Sequence, residues 1–360
     1  MTAVTSDHLT SAPDAALFLP TLAAIAPGTA LRDGFARILN GDTGALVVLG
    51  HDDVVEVMTG GGFNIDVEFT ANRLRELAKM DGAIVLNTEC TRIIRAAVQL
   101  LPDGSLPTQE TGTRHRTADR VSQQTSFPVV SVSQSMRTVA IYVNGHRHEV
   151  EGSAAILSRA NQALATMERY KDRLDEVSSV LFELELKDAV TVRDVVVVAQ
   201  RIEMVRRIGS EISADVIELG SEGRLLSLQH AELVAGVADD RVLITRDSVP
   251  DSTLVDSALA ELETLSASEL LDLERIAAAF GLGTDATVLD SRLTPRGYRV
   301  LARVPRLPEF AADRLVDYFG DTQGLLTATA DELKAVEGIG GTRALAIREG
   351  LARLVESTFR

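Results

Sequence analysis

The hydrophobic rhythm of this chain changes near residue 150, and no single repeating architecture accommodates both halves. Before that point apolar residues come in short runs bounded by turn signals, as strands do; after it they recur at helical spacing. TGALVVLG (43–50), VVEVM (54–58), FNIDVEF (63–69), DGAIVLN (81–87), RIIRAAVQLLP (92–102) and FPVVSVS (127–133) read as strands. ANRLRELAKM reads as a helix and TADRVSQQ as part of another, while Gly60, Gly61 and Gly62 read as a turn. In TVAIYVNGHRHEVEG, Asn144 and Gly145 form the two-residue signal of a hairpin. A hairpin argues against a purely parallel sheet, so residues 1–150 are expected to form an α/β domain with a mixed sheet.

Beyond it, Ala160, Leu164, Met167, Leu174, Val177 and Leu181 fall on one face of a long helix whose other face is charged. Thr191 and Asp194 resemble a cap opening a second helix through Val205. DVIEL, RLLSLQ and RVLITRD, within 211–250, fit strands or short helices, and 257–280 returns to helical spacing. Residues 151–285 are thus expected to form an all-α spine. At 360 residues the chain exceeds the roughly 250–300 at which one core stops growing, which agrees with several domains. The polar stretch Met1 to Asp14 is expected to be a loose tail. No window reaches the roughly 18–20 apolar residues of a membrane span. The run Ala15 to Ala26 is broken by Pro20 and has no basic leader, so a soluble, non-exported protein without a membrane partner is expected. One cysteine, Cys90, excludes a disulfide framework or a cysteine zinc site and suits a reducing cytoplasm.

The last seventy residues contain a repeat at an offset of 32: Leu301, Val304, Leu307, Ala312 and Leu315 align with Leu333, Val336, Ile339, Ala344 and Ile347. The second copy, LKAVEGIGGTRALAIREGL, resembles the helix-hairpin-helix motif in its apolar positions and its Gly338-Ile339-Gly340 turn. Such a turn lets the backbone approach a phosphate, with helix-start amides facing the anion. Gly338, Gly340, Gly341, Thr342 and Arg343 are the candidate DNA contacts, made to the backbone and independent of sequence. The first copy has Arg306-Leu307-Pro308 at the turn and is expected to pack more than to bind. A formal charge of -16 argues against a polyanion partner, yet residues 291–360 carry eleven Lys and Arg against nine Asp and Glu. Screening acts over about 8 Å, so the acidic remainder need not oppose phosphate contact there. The absence of Trp, with only four Tyr and ten Phe, argues against an aromatic platform for unpaired bases.

Two short motifs in the α/β region carry chemistry. Asp81-Gly82-Ala83 lies at a helix-to-strand junction, and Gly112-Thr113-Arg114-His115-Arg116-Thr117 precedes a helix. The second gathers two guanidiniums, an imidazole, two hydroxyls and helix-start amides, a set suited to a polyphosphate. Asp81 beside a glycine suits a metal ion or an activated hydroxyl. Taken singly, each motif also fits an ordinary turn or a solvated face. No GxxxxGK[ST], strand-borne GxGxxG or HExxH occurs, which removes the common nucleotide and zinc readings.

Together the DGA and RHR motifs, the SVS strand around Ser133, the helical spine and the terminal repeat resemble the diadenylate cyclase family, in its DNA-integrity-scanning branch. The resemblance covers about residues 28–358 and implies an α/β cyclase domain, an all-α spine and a C-terminal tandem helix-hairpin-helix domain at 286–360. It implies condensation of two ATP molecules into cyclic di-AMP with release of two pyrophosphates, dependent on Mg2+ or Mn2+. By that resemblance Asp81 is the catalytic and metal-binding carboxylate, while Gly82, Ala83, Leu100, Thr113, Arg114, His115, Arg116, Thr117 and Ser133 bind ATP. Gln134 departs from the acidic residue frequent in relatives, which would leave metal ligation to Asp81 and the phosphates. The resemblance further implies a homo-octamer, branched DNA that lowers cyclase activity, and a cytoplasmic, nucleoid-associated location. Arg193, Arg201, Arg206 and Arg207 are expected to be solvated more than interfacial. A reading from another class is a non-enzymatic DNA repair scaffold that senses nucleotide without turnover; the intact Asp81 and phosphate run favour the enzyme.

Overall fold

A computed structural model describes residues 12–358. Residues 1–11 of the expected tail lie outside this range, and Ala12 to Asp14 already belong to a helix. The chain divides into two compact units, Met1–Asn161 with Ser213–Leu228, and Gln162–Ile212 with Gln229–Arg360.

The first unit opens with α1 (Ala12–Ala24), α2 (Ala30–Asn40), β1 (Ala45–Leu49), α3 (Asp53–Met58), β2 (Thr59–Gly60), β3 (Phe63–Glu68) and α4 (Ala71–Leu77). There follow β4 (Ala83–Leu86), β5 (Arg92–Leu100), α5 (Thr113–Gln124), β6 (Val129–Ser133), β7 (Thr138–Val143) and β8 (His146–Glu149). The strands form one sheet in the order β2-β5-β4-β1-β6-β7-β8, with β3 also on β5. Only β1 and β4 pair in parallel, so the sheet is mixed. Every residue of β1 is buried because helices cover both faces. Alternation sends Val47, Ile84, Val130 and Ile141 against Leu22, Phe35, Ile38 and Leu74 on one face. On the other, Val48, Val85, Val129 and Tyr142 meet Val55, Met58, Ala118 and Val121.

VVEVM is not a strand. Asp52 accepts the Val55 N–H at 2.9 Å and caps α3. Val55 and Met58 are buried while Val54 and Val57 are exposed, a three-residue spacing that only a helix provides. The tight turn of β7–β8 forms as expected, with Asn144 and Gly145 both at positive φ.

The remaining elements are all helical: α6 (Ser153–Leu186), α7 (Val192–Leu219), α8 (Arg224–Val234), α9 (Val237–Ser248), α10 (Val255–Thr264) and α11 (Leu273–Ala279). They continue with α12 (Tyr298–Ala302), α13 (Glu309–Phe319), α14 (Thr322–Thr327), α15 (Ala330–Ala335) and α16 (Gly341–Thr358). The ambiguous stretch 211–250 is therefore helical, α7 runs past Val205 to Leu219, and the 257–280 helix is interrupted between α10 and α11. Asp194 accepts from both the N–H and the hydroxyl of Thr191 at the start of α7. The repeated positions Leu301, Val304, Leu315, Leu333, Val336, Ile339, Ala344 and Ile347 lie buried in one cluster. None of the described helices is long and apolar enough to cross a membrane.

Several charged side chains of the second unit are matched within it. Arg193 pairs with Asp290 at 2.8 Å, Arg206 with buried Glu203 at 2.9 Å, and Arg207 donates to the Leu262 carbonyl at 3.0 Å. Arg201 stands over the Tyr170 ring. All four have partners within their own unit, and Arg193 remains exposed as expected. Arg241 adds a second ion pair to Glu203. Fully buried Asp247 accepts the N–H groups of Gly297, Tyr298 and Arg299 at 2.6 to 2.8 Å, satisfying the orphan donors at the start of α12.

Glu185 is the exception. Its Oε1 lies 2.9 Å from Arg299 Nε, out of line for a hydrogen bond, and its Oε2 has no partner. Burial pushes its carboxyl up from 4.5 to about 7, against the pull of Arg299. A carboxyl raised in the fold binds its proton more tightly there than when unfolded. Its contribution is complete below 4.5 and is lost as pH rises through about 7. Urea unfolding of the wild type should therefore show stability falling over that window by at most about 3 kcal/mol, with Glu185→Gln flattening the slope.

Candidate functional site

Strand register brings several of the selected residues to one end of the sheet. Val47 pairs with Ile84, Ala45 with Val132, and Ala83 with Val98. Because β1 and β4 are parallel, Gly44 and Asp81 precede strands that start at one edge, and antiparallel β5 and β6 end there at Leu100 and Ser133. Leu100 pairs with Thr59 of β2. It is buried at 7% exposure in the core shared with α5, so its side chain belongs to the packing.

Asp81 is exposed, and its Oδ1 accepts the Gly82 N–H at 3.0 Å. Gly82 has φ +111, and a Cβ there would come within 2.7 Å of the Ala97 carbonyl carbon and 2.9 Å of Val98 O. Ala97 itself has positive φ, at an irregularity in the β4–β5 ladder. Glycine is required at 82 because two backbones meet there. Ala83 is buried behind it.

Helix α5 starts at this same end. Gly112 caps it without a side chain, and the Arg116 N–H returns to Gly112 O at 2.8 Å. The amides of Thr113, Arg114 and His115 therefore have no partner within the helix, and its first turn contains no acid. The positive helix end is reinforced by exposed Arg114 and Arg116. A Cβ on Gly44 would lie 2.2 Å from Arg114 Nη1 and 3.0 Å from Val132 O. The guanidinium of Arg114 therefore rests over Gly44, at the edge where β1 starts. Thr117 is half-buried one turn further on. Ser133 is buried, its Oγ accepting the Met136 N–H at 3.3 Å; Gln134 beside it is exposed.

His115 is half-buried, with Nδ1 2.9 Å from the hydroxyl of Tyr142 on β7. Burial pushes the imidazole below its ordinary range; Glu110 and Glu149 pull it up, while Arg147 and Arg114 push it further down. Gly44 and Tyr142 were not singled out from sequence. Gly44-Ala45 opens a strand just as Gly82-Ala83 does, a signal that could have found the first; no local pattern marks Tyr142.

The C-terminal candidates lie in the second unit. Gly338 has φ +82, and its carbonyl accepts from Arg343 Nη1 at 3.0 Å. A Cβ at Gly340 or Gly341 would meet nothing within 4 Å, so nothing inside the chain demands glycine at either. With Thr342, Arg343, Pro305, Arg306 and Leu307 they line an open groove of about 540 Å³. Arg306, the counterpart of Gly338 in the first copy, shares its left-handed conformation at φ 60 and is exposed.

Residues 32–147 match a family described as DisA bacterial checkpoint controller nucleotide-binding. Residues 150–289 match the DisA bacterial checkpoint controller linker region. The chain is 60% identical over 346 residues to the DNA integrity scanning protein DisA of Frankia alni, covering 95% of this chain and 96% of that one. Identity to the protein of that name from Streptomyces coelicolor is 60% over 348 residues, covering 95% and 93%. For Kineococcus radiotolerans it is 58% over 342 residues, covering 94% and 95%.

The Gly82 contact has a measurable consequence. Gly82→Ala should destabilise the first unit by about 1–3 kcal/mol in urea unfolding, since the obstructing atoms are backbone and cannot swing away. An unchanged midpoint would show that the strands part there without cost.

Proposed function

The chain belongs to the DisA family of diadenylate cyclases, and from that membership we propose that it condenses two ATP molecules into cyclic di-AMP and two pyrophosphates. The observation that carries this reading is the edge of the sheet where parallel β1 and β4 open after Gly44 and exposed Asp81, and where α5 lays Arg114 over Gly44. A carboxylate beside a cationic helix start can align a nucleotide hydroxyl with a phosphate, and phosphoryl-type transfer depends mainly on alignment and charge stabilisation.

Each protomer holds one ATP, and two cyclase domains meet face to face. The 3'-oxygen of each nucleotide attacks the α-phosphorus of the other; an O–P bond forms, the bond to the β-phosphate oxygen breaks, and pyrophosphate leaves. Asp81 is the catalytic carboxylate, accepting the hydroxyl proton or holding the metal. Gly82 and Ala83 leave room for the nucleotide, and the Leu100 backbone meets its adenine. Thr113, Arg114, His115, Arg116 and Thr117, with Ser133, hold the phosphates. Among the described residues no three His, Cys, Asp or Glu gather as a metal cage. Exposed Asp81 together with substrate phosphates would hold Mg2+ or Mn2+, as magnesium is commonly bound by one or two carboxylates and phosphate oxygens. Gln134 adds no charge to that ligand set. Bound there, the ion supplies neutralisation of phosphate charge.

Within this reading residues 1–150 are the cyclase domain, 151–285 the helical linker, and 286–360 a tandem helix-hairpin-helix domain that binds branched DNA and lowers cyclase activity in response. Gly340 and Gly341 support the DNA role, because bare backbone faces open space beside Thr342 and Arg343. The active form is a homo-octamer in the cytoplasm, associated with the nucleoid.

Incubating purified protein with ATP and Mg2+ or Mn2+ should yield cyclic di-AMP; no product with either metal across a range of protein concentrations overturns the reading. Asp81→Asn should abolish product without changing the unfolding midpoint, because the side chain is exposed and its amide oxygen can still accept the Gly82 N–H. Arg114→Ala combined with Arg116→Ala should weaken ATP binding by about tenfold or more, the scale of charge-assisted hydrogen bonds. Equal ATP affinity would remove both from the phosphate site. Gly340→Glu with Gly341→Glu should fold normally and lose DNA binding; retained binding of a four-way junction would place the DNA elsewhere.

A further inference from the structure

We propose that Tyr142 is a positioning residue of the nucleotide site, holding His115 through Nδ1 so that Nε2 is presented to the triphosphate. The inference rests on the assignment of His115 to the phosphate run. Tyr142 is fully buried on the sheet face that packs against α5. A hydroxyl placed that deep costs free energy unless it is paired, and Phe would fill the same volume. Here its partner is the imidazole in the first turn of α5, at 2.9 Å.

The neighbours decide the direction of the hydrogen bond. Glu110, 3.7 Å from Arg147, acts on both the phenol and the imidazole. A carboxylate only accepts, so a phenol beside Glu110 directs its proton towards it and takes Nδ1–H from His115. Burial pushes the phenol up, which keeps that proton in place. The groups acting on the imidazole are Arg114 from α5, Glu110 from the preceding loop, and Arg147 and Glu149 from β8; together with burial they leave it neutral at neutral pH. Neutral and protonated at Nδ1, the ring has a bare Nε2. Phosphate charge against that atom favours its protonation, so nucleotide binding takes up a proton at His115.

The test uses the full chain and 3'-deoxy-ATP, which lacks the attacking hydroxyl and so reports binding without turnover. Tyr142→Phe should weaken its affinity about 3- to 10-fold, the scale of one hydrogen bond. The loss should vanish when His115 is already Ala. Nitrogen-15 spectra of the free protein should show His115 protonated at Nδ1 in the wild type and a mixture of tautomers in Tyr142→Phe. Wild-type affinity in Tyr142→Phe, the same loss with and without His115, or a wild-type ring protonated at Nε2 overturns the inference. Should Tyr142→Phe not fold, Glu110→Gln frees the phenol proton and must shift the same tautomer; an unshifted spectrum is equally fatal. If the wild type does not bind 3'-deoxy-ATP, the cyclase reading fails, and the tautomer spectra still decide the role of Tyr142.

Discussion

The parallel pairing of β1 with β4, flanked by antiparallel neighbours, is the constraint on which the candidate site depends. In parallel strands both N-terminal ends lie at one edge, and the antiparallel neighbours contribute their C-terminal ends there. Residues far apart in the chain, Gly44, Asp81, Leu100 and Ser133, are thereby brought to one edge by strand direction. A one-residue slip would turn every apolar side chain of a strand to the opposite face. Since both faces are buried, packing of the whole domain protects the register of the site.

Rigid strands carry the carboxylate and helix α5 carries the cations, and the two meet where a side chain is missing. Gly44 leaves space over which Arg114 rests, and Gly82 lets β4 approach the irregular stretch of β5 at Ala97. Neither glycine touches a ligand through side-chain chemistry. They work by exclusion, permitting a guanidinium in one case and a backbone in the other to occupy space that a Cβ would take.

Much of this was legible in sequence because it is local. The strands, the Asn144-Gly145 turn, the long α6 and the C-terminal repeat all follow from periodicity and turn chemistry. VVEVM misled because four apolar residues in five satisfy either period, and the Asp52 cap decided for helix. Residues 211–250 were undecided for the same reason. At the site, the DGA and RHR motifs announce themselves by composition. Gly44 and Tyr142 do not, since the importance of each comes from a partner supplied by a distant element: Arg114 over one, His115 against the other. The partners of three arginines of α7, Asp290, Tyr170 and the Leu262 carbonyl, are distant in sequence and carry no local signal.

Arg306 and Gly338 occupy equivalent places in the two C-terminal copies and share a left-handed backbone, though only one of them is glycine. That conformation costs an ordinary residue roughly 1 kcal/mol. The two turns therefore keep one bend of the main chain with different residues, and the likeness of the copies extends to a position where their letters differ.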